Sequence, residues 1–188
     1  FTLNNLGVVL KDNDELKRAL EYIEKALALN PTFAHALYNK GIVYQKQGKY
    51  EEGRNLYKRA LSCAPGHAPA RWLYHLSLPM LYYDQKHLEQ TRRKFSKHLN
   101  RLINEIPLLT QDDYQNALEG ISSTTNFYLQ YQGCNDVDLQ MRYGDFATQI
   151  MSLNYPQWST KLEAQSHRPG DKIRIGYVSS LMFSHTIG

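Results

Sequence analysis

Apolar positions recur at three- and four-residue steps over most of the chain. Leu88, Phe95, Leu99, Leu102 and Ile106 form one stripe across residues 86–106, which predicts an amphipathic helix. Leu118, Ile121, Thr125, Tyr128 and Leu129 predict the buried side of a second helix. Thr110 would cap its start, with Asp113 three residues on, and Gly133 would close it. Asn135 or Asp136 would cap a third helix, carrying Val137, Met141, Phe146 and Ile150. Pro156, Pro169 and Gly170 then break the pattern into a linker, which Trp158 is expected to anchor against a core. Finally the period changes. Ile173, Ile175 and Tyr177 alternate with Arg174 and Gly176, and Val178 follows, which predicts one short β-strand.

The opening stretch, from Phe1 to His67, repeats itself. Gly7 and Gly41, Ala19 and Gly53, Ile23 and Tyr57, Ala26 and Ala60, and Pro31 and Pro65 are all separated by the same interval. Small residues stand where two helices of a pair must approach closely. Bulky ones, Leu10/Tyr44 and Ile23/Tyr57, fill the space between. Pro31 and Pro65 end the second helix of each pair, and Asn13-Asp14 and Gly48-Lys49 mark the turns inside them. A period of about 34 residues with this placing of small and bulky positions is the signature of a tetratricopeptide (TPR) helix pair. A third copy would place glycine at position 75, where His75 stands. The stretch from Pro69 to Leu88 keeps the helical period without the signature, as in a degenerate, capping pair. The chain opens on Phe1 inside a helical pattern, and further repeats are expected upstream. The expected fold is mainly α: TPR repeats over 1–67, a helical junction over 68–155, a linker over 156–171, and the opening of an α/β module over 172–188.

Asn5 and Asn39 keep the same interval, each two residues before the repeat glycine. Both fall on first helices, which line the concave face of a TPR solenoid. An Asn amide offers a donor and an acceptor together, so it can hold a peptide backbone without reading side chains. The competing explanation is that each Asn caps or hydrates its own helix. Leu73 occupies the next phase and ends the ladder.

Composition narrows the chemistry. With 42% hydrophobic and 21% charged residues the chain is globular rather than disordered. The formal net charge of +4 accommodates anionic ligands without implying nucleic acid. The basic face of Lys86, Arg92, Arg93, Lys94, Lys97 and Arg101 reads as a solvated helix face, with phosphate contact as the alternative. Cys63 and Cys134 lack metal-ligand spacing and are expected as free thiols. The seven histidines share no ligand spacing either, so neither metal nor cofactor is expected. No apolar run is long enough for a membrane span and no signal peptide is visible, so the expected location is cytoplasmic.

The TPR repeats joined to "KIRIGYVSSLMFSHTIG" resemble the TPR-fused O-GlcNAc transferase / SPINDLY family of glycosyltransferases. The resemblance implies that "RIGYVS" opens the first half of a two-Rossmann (GT-B) catalytic domain. It also implies that His185, in the following loop, lies at the nucleotide-sugar site as a candidate catalytic base. The donor would be a nucleotide sugar such as UDP-GlcNAc or GDP-fucose, and the acceptor a Ser or Thr hydroxyl of a protein. That protein would be held on the concave face by Asn5 and Asn39. The loop "LMFSHTIG" departs from animal enzymes, which carry an acidic residue and a different spacing around the His. The 188 residues alone are expected to be inactive. A TPR adaptor that binds a partner protein without chemistry is the alternative.

Overall fold

A computed structural model describes residues 1–160. Eight α-helices account for most of them: α1 Thr2–Asp12, α2 Leu16–Leu29, α3 Ala34–Lys46, α4 Tyr50–Cys63, α5 Ala68–Leu76, α6 Gln85–Glu105, α7 Gln111–Ser122 and α8 Val137–Asn154. Short 3-10 turns run over Phe127–Gln132 and Pro156–Trp158. No strand occurs among the described residues. The strand expected at 173–178 lies outside them, as does the Rossmann-like module it would open.

α1 with α2, and α3 with α4, are the two repeated helix pairs. The small residues sit at the closest approaches. A Cβ added at Gly7 would lie 2.6 Å from the Ile23 side chain, and one at Gly41 would lie 2.5 Å from the Tyr57 ring. At Gly53 it would lie 2.8 Å from the Gly41 carbonyl oxygen. Ile23 and Tyr57 are fully buried, as their position in the repeat predicts. The Tyr57 hydroxyl is not stranded, because it donates to Gln45 Oε1 at 2.8 Å. α2 ends at Leu29 and α4 at Cys63, each two residues before its proline.

The third repeat begins and then departs. α5 starts in phase, with the His67 ring nitrogen accepting from the Ala70 N–H at 3.2 Å as its cap. It stops at Leu76, and residues 77–84 run on without regular structure before α6. Where the repeat needs glycine, His75 is buried against His98 of α6. An imidazole there keeps α6 from the close approach that Gly7 and Gly41 permit. One face of α5 joins the repeats through Ala70, while Trp72 and Leu76 enter the core of the junction with Phe95, Leu99, Leu102 and Phe146.

The junction corrects three expectations. The helix opened by Thr110 has the reciprocal cap with Asp113, yet it ends at Ser122 rather than running to Gly133. Ser122 Oγ and Ser123 Oγ donate back to the carbonyls of Glu119 and Gly120, at 2.9 and 2.6 Å. Such bonds offer the backbone an alternative to helix, and Ser122-Ser123-Thr124-Thr125 is where it breaks. Thr125 and Tyr128 are consequently exposed, and Leu129 alone of these three expected core positions is buried. In α8 the buried residues are Leu139, Phe146 and Ile150, whereas Val137 and Met141 face solvent. Trp158 does not anchor a core. It is 76% exposed and stacks on Tyr155 with ring centroids 5.0 Å apart.

Candidate peptide-binding face

The first helices of the two repeats, α1 and α3, bring together a short chain of amides. Asn39 Nδ2 donates to Asn4 Oδ1 at 3.1 Å, and Asn4 Nδ2 reaches Asn5 Oδ1 at 3.5 Å. Asn39 and Asn4 are buried, 7% and 5% exposed, while Asn5 is exposed. Asn5 and Asn39 therefore share one site but do not touch. Asn4 is the link between them, and it was not legible from the repeat phase. The signal was the Asn4-Asn5 doublet, whose side chains point about 100° apart around α1, so that Asn4 turns towards α3 while Asn5 stays exposed. The chain leaves Asn39 Oδ1 and Asn5 Nδ2 without partners among the described residues, one acceptor and one donor. That is the complement of a peptide amide.

Beside this face lies a cleft of about 370 Å³, bordered by Ile42, Gln45, Lys46, Leu73 and Tyr128. Leu73 stands at the third Asn phase and is buried at the edge of this cleft. Lys46 Nζ is engaged with Asp14 Oδ1 and with the Lys11 carbonyl oxygen, both at 3.4 Å. An exposed pair of this kind is weak and exchanges readily for a ligand carboxylate.

A row of rings follows the same repeat phase. Phe1 packs on Phe33 at 5.1 Å between centroids, Phe33 on His35 at 5.9 Å, and His35 on His67 at 4.7 Å. Phe1/His35 and Phe33/His67 again keep the repeat interval, a second ladder visible in the sequence once the period is known. His67 Nε2 and His35 Nδ1 are 3.1 Å apart. Because His67 Nδ1 accepts the α5 cap bond, Nε2 carries the proton and donates. Burial and the neighbouring His35 hold the His67 pKa below the usual imidazole value.

A second histidine pair lies between α5 and α6. Arg54 Nη2 donates to His98 Nε2 at 3.2 Å, and His98 Nδ1 lies 3.1 Å from His75 Nδ1. Arg54 fixes the tautomer of His98, which then donates to His75. His75 Nε2 faces Glu105 Oε2 at 3.9 Å. Burial first, then the neighbouring charges, push His75 down to about 3 and His98 down to about 4. Among the described residues, no group of three or more His, Cys, Asp or Glu is placed to hold a metal ion. The basic face of α6 is mostly solvated, except that Arg92 pairs with Asp136 and bonds Gln132 Oε1 at 2.9 Å. Cys63 and Cys134 are free and exposed. No helix among the described residues is long and apolar enough to cross a membrane. His185 lies outside the described residues.

The chain matches the tetratricopeptide repeat family twice, at residues 1–33 and 34–67. It carries two TPR repeats in a helical solenoid, the architecture of a protein-interaction module. It is 38% identical over 56 residues to an uncharacterized protein of Methanocaldococcus jannaschii, covering 30% of this chain and 65% of that one. It is 29% identical over 79 residues to the Photosystem I assembly protein Ycf3 of Acaryochloris marina, covering 35% and 48%. A UDP-N-acetylglucosamine--peptide N-acetylglucosaminyltransferase of Giardia intestinalis is 28% identical over 102 residues, covering 54% of this chain and 7% of that protein. The matched stretches thus span less than two thirds of each relative.

Proposed function

We propose that α1 and α3 hold an extended segment of a protein through the Asn5–Asn4–Asn39 amides, and that this delivers it to a glycosyltransferase module opened by residues 172–188. The single observation that carries the binding half is the donor and acceptor at the two ends of the amide chain that have no partner among the described residues. The catalytic half rests on the resemblance of "KIRIGYVSSLMFSHTIG" to the first strand and loop of that enzyme class, beside a partial likeness to the Giardia transferase that covers 7% of it. In this reading His185 orients the acceptor hydroxyl or takes its proton, a role that needs an imidazole titrating near neutrality. The donor is a nucleotide sugar, with GlcNAc as the preferred sugar, and the work takes place in the cytoplasm.

The test uses the full-length protein with labelled UDP-GlcNAc and GDP-fucose. Transfer of one label to protein is the expected result. The double substitution Asn5→Ala with Asn39→Ala should reduce transfer to protein acceptors while leaving hydrolysis of the free donor unchanged. Consumption of neither donor would end the catalytic half and leave the second reading, an adaptor without chemistry. The Ycf3 relatives favour that reading, since their name describes assembly of another complex.

A further inference from the structure

The segment between α5 and α6 exposes apolar side chains, of which Met80 alone also borders the cleft beside the amides. Leu81 is 84% exposed and Tyr83 93%, with Met80 half-exposed beside them. Contiguous apolar exposure on a globular surface marks interaction sites more often than chance. The segment is also pinned at both ends. Tyr50 donates its hydroxyl hydrogen to the Ser77 carbonyl oxygen at 3.2 Å. Gln132 Nε2 donates to the Tyr82 hydroxyl at 2.7 Å. The Tyr83 N–H donates to His87 Nδ1 at 3.3 Å, and the Tyr83 ring stacks on that imidazole with centroids 4.8 Å apart. A surface held in place this way loses little freedom when something binds.

Between this segment and the start of α4 lies a cleft of about 690 Å³. Tyr50, Pro79, Met80, Leu81 and Tyr83 give it apolar walls, and Glu51, Glu52 and His87 are the polar side chains that line it. Neither glutamate has an ion-pair partner among the described residues. The adjacent Lys49 does not neutralise them, because its ammonium lies over the Tyr44 ring, 5.1 Å from the centroid. The start of α4 contributes roughly half a positive charge. Two carboxylates outweigh it and leave the rim negative, in a chain whose net charge is +4.

We infer that this cleft is a second protein-binding site, which takes a bulky apolar side chain of a partner segment whose neighbouring Lys or Arg meets Glu51 and Glu52. The size fits the range of preformed ligand pockets, mostly apolar with a few polar groups at the edge. The charge complementarity selects a basic segment over an acidic one. Met80 also borders the 370 Å³ cleft beside the amide chain, so one extended partner can occupy both places. The inference nevertheless stands without the amide face.

The experiment pans a random peptide library displayed on phage against the full chain and measures the enriched peptides by fluorescence anisotropy. The expected peptides carry a bulky apolar residue next to Lys or Arg. Their binding should weaken about tenfold in the Glu51→Lys, Glu52→Lys double variant and also in Leu81→Ser, and should fall as salt rises. All three positions are exposed, so unchanged circular dichroism shows that the fold is intact. Enriched peptides without basic residues, or binding indifferent to the charge reversal, would overturn the inference. So would the absence of any enriched peptide. Binding lost in Asn5→Ala but kept in Glu51→Lys, Glu52→Lys would support the amide face and overturn the cleft. The reverse pattern would keep the cleft and remove the amide face. A concentration-dependent dimer abolished by Leu81→Ser would show that a second copy fills the cleft, which also overturns the inference.

Discussion

Asp14 and Gly48 occupy the same turn of successive repeats, and both are left-handed, with φ of 61° and 77°. Glycine adopts that conformation without penalty, whereas a residue with a side chain bears a cost of about 1–2 kcal/mol, eased somewhat for Asp. Gly48→Ala should therefore destabilise the chain by about 1 kcal/mol in a urea titration. Asp14→Gly should do the opposite by a few tenths, because the exposed Lys46 contact it gives up is worth little. Equal effects of the same sign would mean that the turn conformation is not what sets these two residues apart.

At the scale of elements, the α5–α6 contact is held by neutral imidazoles. Arg54 of α4, Arg71 and Tyr74 of α5, and Lys94, Lys97, Arg101 and Glu105 of α6 surround His75 and His98. Only Glu105 among these offers a negative charge. Protonation of either ring sets a cation against Arg54 in a partly dry contact. Both values lie below the ordinary imidazole value near 6.5, so the unfolded chain binds more protons between about pH 6.5 and pH 3–4. The stabilisation is complete above about pH 6.5 and is lost as the pH falls towards 4 and then 3. The thermal midpoint should drop on acidification from pH 7 to pH 5. His98→Gln keeps an acceptor for Arg54 without taking up a proton, and it should flatten that slope by about half. A slope unchanged by His98→Gln would assign the acid sensitivity to other groups.

The same pair marks where the sequence stops being readable. The TPR helices, their small-residue contacts and their turns follow from the repeat period, because each repeat buries its own residues in the same way. α6, the Thr110 cap and the solvated basic face were also legible, from local pattern alone. The break after Ser122 was not. Periodicity registers Leu118, Ile121 and Leu129 but not the hydroxyls that bond back to Glu119 and Gly120. The His75–His98 pair was equally hidden, since 23 residues separate the two and no repeat phase links them. Of the amide cluster, Asn5 and Asn39 stand out by their repeat phase. Asn4 required knowing which face of α1 meets α3.

At the scale of the whole molecule, α5 belongs to both halves. Ala70 packs with Ala34, Leu37, Leu56 and Ala60 of the second repeat, while Trp72 fills the junction. Gly120 makes room for it, since a Cβ there would lie 2.2 Å from the Trp72 ring. Gly120→Ala has no compliant neighbour to yield and should cost on the order of 2–3 kcal/mol. Because α5 is shared, the loss should lower one common unfolding transition seen by far-UV circular dichroism and by calorimetry. Two separated transitions would mean that α5 does not couple the halves. Gly144→Ala is the control, because nothing lies within 4 Å of an added Cβ there.

The two tryptophans give the molecule a built-in optical readout. Trp72 is wholly enclosed, stacked 6.0 Å from the Phe146 ring, while Trp158 lies in the open on Tyr155. Their emission therefore divides by colour. The blue component, shielded from iodide, reports on the shared helix and its packing. The red, quenchable component reports on the residues that lead towards position 160. Changes in one half of the chain can be followed spectroscopically without attaching a dye to either Cys63 or Cys134.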